Sequence, residues 1–361
     1  MTATVTSALP NSLTAGKLPR GTAWIVLASS WLLIGIVFWL VNLADGSNEF
    51  NLVGTVFFGT VLFDIAIYVL SWLVEGSRRA KDRLVTALIA TTFVVAVLPL
   101  VSLIDTVVIN GLPGILKPSF FTESMRNVLG PGGGALHAVI GTLEITMAAT
   151  IISVPIGLLT SIYLVEYGTG ALARTITFMV DVMTGIPSIV AGLFAYALFV
   201  LVTGDPGYRS GFGGSVALSV IMIPVVVRSS EEILKLVPNE LREASFALGV
   251  PKWLTILKVV LPTAIAGITT GVTLAIARVI GETAPLLLIT GFTSSVNYNL
   301  FGDQMMTLPM FIYTQYANQG PAAADFLNRA WASALTLILI VMVLNLIARL
   351  VAKYFSPKSG R

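Results

Sequence analysis

Apolar residues in this chain do not alternate with polar ones at the spacing of a soluble helix or strand. They run on. Eight hydrophobic runs stand out, at approximately 24–43, 51–74, 84–109, 136–165, 172–202, 213–230, 259–290 and 330–352, interrupted only by isolated charges. A helix needs about 17–25 such residues to cross a bilayer core. The pattern therefore predicts an all-α polytopic membrane protein of eight spans. The first run is not read as a cleavable signal, because a second span follows at once and no small-residue cleavage pattern intervenes.

Composition agrees with the pattern. Of 361 residues, 56% are hydrophobic and only 11% are charged, with a mean hydropathy of +0.90. A soluble domain would carry about 25% charged residues. The chain has no cysteine, which removes disulfide and thiolate chemistry and leaves the redox compartment open. The net charge of +3 and pI near 9.1 acquire meaning only when sorted by side. With both termini placed in the cytoplasm, sixteen of the 21 Lys and Arg residues fall on inner segments. Lys117, Arg126, Arg209 and Arg329 fall outside, and Arg278 alone lies within a span. Cytoplasmic enrichment of Lys and Arg is the orientation signal of a multi-pass plasma or inner membrane protein. The basic balance reports topology, not a nucleic-acid partner.

Residues 1–23 read as a disordered cytoplasmic tail, rich in Ser, Thr and Pro over the first twenty. An N-terminal hairpin of two spans over 24–75, joined by "ADGSNEF", is set off by the basic stretch "GSRRAKDR" (76–83). Six further spans occupy 84–352, with a cytoplasmic loop over 232–258 and a short tail over 353–361. In the outer loop, Gly130, Gly132 and Ala135 match a loose dinucleotide fingerprint, but no strand or βαβ unit surrounds them, so the stretch reads as a flexible linker. No phosphate-binding P-loop occurs, since the only Gly-Lys pair is followed by Leu18. His137 is the only histidine and belongs to no metal or nucleophile set. No catalytic residues or metal ligands are expected, and the chain is not read as an enzyme.

One stretch is far too polar for its surroundings: "NELREASFALGVPKWLTILKVVLP", residues 239–262. Asn239 is a good N-cap, and Glu240 and Glu243 sit in the first turn, where carboxylates suit the helix dipole. Leu241, Ala244, Ser245 and Leu248 recur at i, i+3, i+4 and i+7, giving one small, mildly apolar face. Gly249 stops the helix and Pro251 opens a second one. An amphipathic loop resting on the bilayer would look the same by these criteria.

The residues themselves resemble the "EAA" signature of ABC-importer permeases. Glu243, Ala244, Ser245, Gly249, Val259, Leu261 and Pro262 fill its places at full spacing, with Ser245 for the second Ala and Val259 for Ile. The resemblance implies a coupling helix that seats in a separate ATP-hydrolysing subunit, with Glu240, Arg242, Glu243, Ala244, Ser245, Gly249 and Pro251 as its working residues. Over roughly 84–352 the chain is similar, more narrowly, to phosphate permeases of the PstA type. The stretches "GTLEITMAATIISVPIGLLTSIYLVEYG" (141–168), "GIPSIVAGLFAY" (185–196) and "ARVIGETAPLLL" (277–288) carry that likeness. It implies a type I importer permease core with an additional hairpin. It also implies inorganic phosphate as cargo, alternating access, a PstC-like second permease, a PstB-like ATPase dimer using ATP and Mg, and an extracytoplasmic PstS-like phosphate-binding protein. No cofactor is expected on this chain. The hairpin lies outside the usual six-span pattern.

Pathway candidates follow from both routes. Arg278 and Glu282 are i and i+4 and could pair; Arg278 lies ~24 Å along the helix from Pro262 at 1.5 Å per residue. A charge at that depth costs ~2.5 kcal/mol or more and normally faces a polar path or a partner, though an interhelical ion pair would also explain it. Arg228 and Glu231 are i and i+3 where a span reaches the cytoplasm, where an ordinary positive-inside residue would also sit. The resemblance makes both pairs candidates for the anion path. Gly267, Gly271 and Ala275 form a small-residue stripe suited to close helix packing. Pro187 can bend a helix and Ser188 can satisfy the freed backbone groups, and Pro285 joins this packing set. Glu144, Asp181 and Asp64 are buried in apolar spans without a partner that the sequence names. Two other readings are weighed: a permease for molybdate or sulfate, which "GETAPLL" disfavours, and an ion-gradient-driven secondary transporter, which should show inverted repeats that are not seen.

Overall fold

The computed structural model describes residues 16–19, 21–45, 51–128, 130–319 and 322–355. The expected tails over 1–23 and 353–361 fall largely outside the described residues, as does most of the turn at 44–50. All regular structure among the described residues is helical. The helices are α1 (Thr22–Asp45), α2 (Leu52–Glu75), α3 (Ser77–Ile115), α4 (Ser119–Thr122), α5 (Leu136–Ile162), α6 (Gly170–Thr184) and α7 (Ser188–Thr203). There follow α8 (Gly211–Lys235), α9 (Asn239–Ala247), α10 (Lys252–Thr255), α11 (Leu261–Val279), α12 (Ala284–Ile289), α13 (Leu308–Ala317) and α14 (Ala323–Phe355). Single π-helical turns extend α5 over Tyr163–Tyr167 and join α10 to α11 over Ile256–Val260. In a hydrocarbon solvent this is the required outcome, since helices satisfy their own backbone polar groups.

Two compact units divide at Ile104/Asp105, inside α3. The division does not fall at the basic stretch 76–83, because those residues are not a linker: Ser77 already begins α3, after Gly76 at φ +85°. In the first unit, Trp31 of α1 lies against Gly59 of α2, where an added Cβ would come within 2.5 Å of the indole. Its Nε1 donates to Thr60 Oγ1 at 3.1 Å. At the base of this hairpin, the Glu75 carboxylate accepts from Arg83 Nε (2.6 Å), Arg83 Nη2 (2.9 Å), Ser71 Oγ (2.8 Å) and the Leu18 amide (2.9 Å).

In the second unit α5 and α8 form the central pair. Ser215 Oγ donates to the Ile145 carbonyl at 3.1 Å and Ser219 Oγ to the Ala149 carbonyl at 3.4 Å. Gly157 admits Val226, which would lie 2.7 Å from an added Cβ. Small and hydroxyl residues let the backbones approach where lipid offers no hydrophobic drive for helix association. Around the pair, Ile145, Ala149, Leu218, Met222, Ala275, Val279, Leu286, Leu308 and Phe311 form a buried core. Thr142 Oγ1 accepts from the Leu308 amide at 2.7 Å, fastening α13 to α5.

Two expected spans are altered. The run 172–202 is not one helix: α6 and α7 meet at a 108° bend. Pro187 caps α7 with ψ 138°, outside helical geometry. Ser188 makes no capping hydrogen bond; the Pro187 carbonyl instead accepts from Val190 N (2.9 Å) and Ala191 N (3.4 Å). The run 259–290 also divides, because α11 ends at Val279 and α12 starts at Ala284, with Pro285 in its first turn. Pro285 therefore lies in the first turn of a helix and does not bend one. Its backbone lies against Gly192 of α7, 2.5 Å from where a Cβ would stand. Among the described residues, seven helices are long and apolar enough to span a membrane, or eight if the bent pair counts as one span.

Gly141 of α5 faces the backbone carbonyl of Met306, which cannot retreat, whereas Gly130 has open space around it. Gly141→Ala is expected to destabilise the protein by about 1–3 kcal/mol or more and Gly130→Ala to be nearly silent. Thermal unfolding of the purified variants in detergent checks both.

Candidate functional site

The polar loop folds as the helix–turn–helix that its sequence predicts, displaced by one residue. Pro238, not Asn239, occupies the N-cap position, and Asn239 is the first residue of α9. Gly249 takes the left-handed conformation at φ +76°, where a residue with a Cβ would be strained. The Val250 amide closes the turn on the Ser245 carbonyl at 3.2 Å, and Pro251 caps α10.

The four-residue apolar face is split. Ser245 turns inward, its hydroxyl 2.8 Å from that of Thr255 in a buried contact. Leu241, Ala244 and Leu248 stay outside, Leu248 being 83% exposed, together with Glu240, Glu243 and Phe246. Arg242 also departs from the expected outward role. Its guanidinium donates to Glu166 Oε1 (3.0 and 2.8 Å), to the Val237 carbonyl (2.6 Å), to the Leu234 carbonyl (3.0 Å) and to Asn239 Oδ1 (3.3 Å). Arg242 closes the end of α8 and thereby sets the angle at which α9 leaves it. The surface left for a partner is the acidic–apolar face alone.

Glu166 drew no notice in the sequence. A carboxylate in the last turn of a helix opposes the dipole there, and this mismatch is the signal that a cation covers it. Lys252 Nζ donates to the Glu166 backbone carbonyl and lies 4.8 Å over the Tyr167 ring.

The two arginines proposed for an anion path differ in kind. Arg228 is committed: it pairs with Glu231 at 2.8 Å and with Asp181 of α6, while Lys235 takes the other Glu231 oxygen at 2.6 Å. Asp181 thus gains its partner, 47 residues away, beyond the reach of sequence reasoning. Arg278, by contrast, makes no hydrogen bond or ion pair with any described residue and is exposed. Its expected partner Glu282 lies beyond the end of α11, its amide bonded to the Val279 carbonyl, so the i, i+4 geometry is never formed. Glu144 keeps one buried oxygen without a partner, as does Asp64.

The small-residue stripe lies against α8: a Cβ on Gly267 would meet Ile233 at 2.6 Å, and one on Gly271 would meet Ser229 Oγ at 2.7 Å. Ala275 is fully buried. The loop between α4 and α5 is held in place by Arg329, which donates to the Gly130 and Gly132 carbonyls at 3.0 Å each and to Gln315 at 2.9 Å. His137 sits edge-on to Phe311 at 5.0 Å, beside a cavity of about 430 Å³. No group of three or more metal-binding side chains occurs among the described residues.

The family profile for the inner-membrane component of binding-protein-dependent transport systems matches residues 153–361. The chain belongs to this permease family. Among its relatives is the phosphate transport system permease protein PstA 1 of Mycobacterium tuberculosis H37Rv. It is 48% identical over 276 residues, which is 76% of this permease and 88% of the relative. The PstA protein of Mycobacterium leprae is 48% identical over 271 residues (74% and 88%), and that of Yersinia pestis 37% over 278 residues (77% and 92%). An inward-facing structure of the MetNI methionine ABC transporter is similar at TM-score 0.50 and 21% identity, over 61% of this permease and 95% of that chain. A bacterial importer of the polysaccharide alginate is similar at TM-score 0.51 and 13% identity, over 76% and 96%. These two likenesses concern the fold.

The ion-pair network makes a graded prediction. Glu231 has a side chain 9% exposed and answers two cations that are themselves partly exposed, so Glu231→Ala is expected to cost the permease about 1–3 kcal/mol. Asp181 is 59% exposed, and Asp181→Asn should cost about 1 kcal/mol or less. Melting curves of the two variants in one detergent test the order.

Proposed function

We propose that this permease subunit carries inorganic phosphate across the membrane into the cytoplasm by alternating access, driven by ATP hydrolysis in a partner. The observation that carries the reading is the close identity to PstA proteins along three quarters of the chain, including the "RVIGETAPLLL" segment around Arg278. No feature favours molybdate, sulfate or an ion-gradient mechanism. The chain works as a transport subunit and not as an enzyme. Its companions in this reading are a second permease, a pair of ATPase subunits using ATP and Mg, and an extracytoplasmic phosphate-binding protein. Both termini lie in the cytoplasm.

The division of labour among the charges supports the chemistry. Phosphate needs a cation that is not already neutralised, and Arg278 is the one offered by the α11–α12 junction. Its guanidinium fork suits an oxyanion better than a point charge does. Glu282, four residues on and unpaired with it, keeps the local field from becoming so positive that phosphate is trapped. Arg228, held by Asp181 and Glu231, ties α6 to α8 and contributes to gating through that tie. On the cytoplasmic side, Glu240, Glu243, Leu241 and Leu248 form the face that seats in the ATPase. Gly249 and Pro251 shape the turn, while Arg242 and Ser245 brace it from within.

Radiolabelled phosphate uptake at low external phosphate, in cells lacking this chain and in cells complemented with it, tests the assignment. Arg278→Ala is expected to lower uptake by about thirty-fold or more while the subunits still copurify; wild-type uptake at normal expression overturns the role of Arg278. Glu243→Lys is expected to lower uptake by about tenfold or more by disturbing the docking face. Unchanged uptake on deletion, in a strain with no second phosphate importer, removes phosphate from the reading.

A further inference from the structure

We propose that Glu166 is a positioning residue through which the coupling loop grips α5, so that movement of the loop reaches α5 directly; this rests on the permease reading above. The loop is covalently continuous with α8 on one side and with α11 on the other. It has no such link to α5: Glu166 and Arg242 are 76 residues apart. Yet both arms of the loop hold the same residue. From α9, Arg242 gives two N–H bonds to the Glu166 carboxylate, and from α10, Lys252 binds the Glu166 backbone carbonyl.

The clamp is built to resist reorientation. The Glu166 side chain is 5% exposed and that of Arg242 13%. Arg242 also spends its remaining donors on Leu234, Val237 and Asn239. Charge-assisted bonds of this kind are the strong ones, and a guanidinium so fully engaged cannot turn without breaking several. A pocket of about 300 Å³ lies beside the clamp, lined by Val165, Phe246 and the same charged side chains. Ile162 and Val165 pack against the buried Leu234, Val237 and Val260 at the same junction, so the charged contacts add orientation to an apolar seat. The α5 terminus that it grips is a π turn, a geometry frequent at functional sites.

The mechanical consequence follows from the central pair. The α5 and α8 helices lie in close contact along their length at Ser215, Ser219 and Gly157. A displacement entering only through α8 would shear it against α5. Entering through Glu166 as well, it carries the two helices as one body.

The test uses the complete importer reconstituted in liposomes with its binding protein, comparing wild type, Glu166→Gln and Lys252→Met. The readouts are phosphate delivered per ATP hydrolysed and copurification of the subunits. Glu166→Gln is expected to copurify normally and hydrolyse ATP near the wild-type rate, with phosphate per ATP lower by about fivefold or more. Lys252→Met, which leaves the Glu166–Arg242 pair intact, should lower the ratio by about twofold. A wild-type ratio in Glu166→Gln overturns the proposal. So does a parallel fall of hydrolysis and uptake in it, which would make residue 166 a docking residue. Should Glu166→Gln fail to assemble, Lys252→Met decides: a lowered ratio supports the clamp and an unchanged one overturns it. The wild-type ratio tests the phosphate reading and the variant-to-wild-type comparison tests the clamp, so the two fail separately.

Discussion

A charge within a lipid-solvated bundle is tolerated only where another group answers it, and the organisation of this permease follows from how each charge is answered. Arg242 is met by a carboxylate and two carbonyls, Arg329 by two loop carbonyls and a glutamine, and Arg228 by two carboxylates. Each of these fixes the angle or position of a helix end that no apolar packing would specify uniquely. Arg278 stands apart from these three arginines, with no partner among the described residues. Its isolation sets it apart from groups that build the scaffold, a distinction that net charge and hydropathy do not contain.

The same economy governs the apolar part. Lipid competes for leucine as readily as a neighbouring helix does, so association depends on close backbone approach. The α5–α8 pair achieves it with serine hydroxyls on carbonyls, and α11 reaches α8 through Gly267 and Gly271. Ser245 repeats the device at small scale, joining α9 to α10 through Thr255.

The spans and the helix–turn–helix of the polar loop were legible because each rests on local periodicity or on a fixed spacing. The 108° break after α6 was half legible: Pro187 marked the place, but a kinked span and a full turn of the chain begin with the same residues. The division at Val279 was hidden for a related reason, since Arg278 and Glu282 satisfy helical spacing on paper while the helix ends between them. Asp181–Arg228 and Glu166–Arg242 join residues 47 and 76 positions apart, and no periodicity reports such a contact. The inward turn of Arg242 was missed because charge on a polar connecting loop normally means exposure. Glu166 was missed although its carboxylate is an electrostatic misfit at a helix end, a clue that composition averages away.

The π turn at Ile256–Val260 has a further consequence. A π turn accommodates an extra residue without breaking the helix, so everything beyond it is rotated by about 100° relative to an uninterrupted α-helix of the same sequence. Arg278 lies downstream on α11, whereas the stretch that meets Ser245 lies upstream at Thr255. The direction in which the unpaired guanidinium points is therefore a matter of phase, set some five turns below it by one surplus residue. Loss of a single position there would leave every side chain in the sequence of α11 unchanged and yet aim the cation at a different wall.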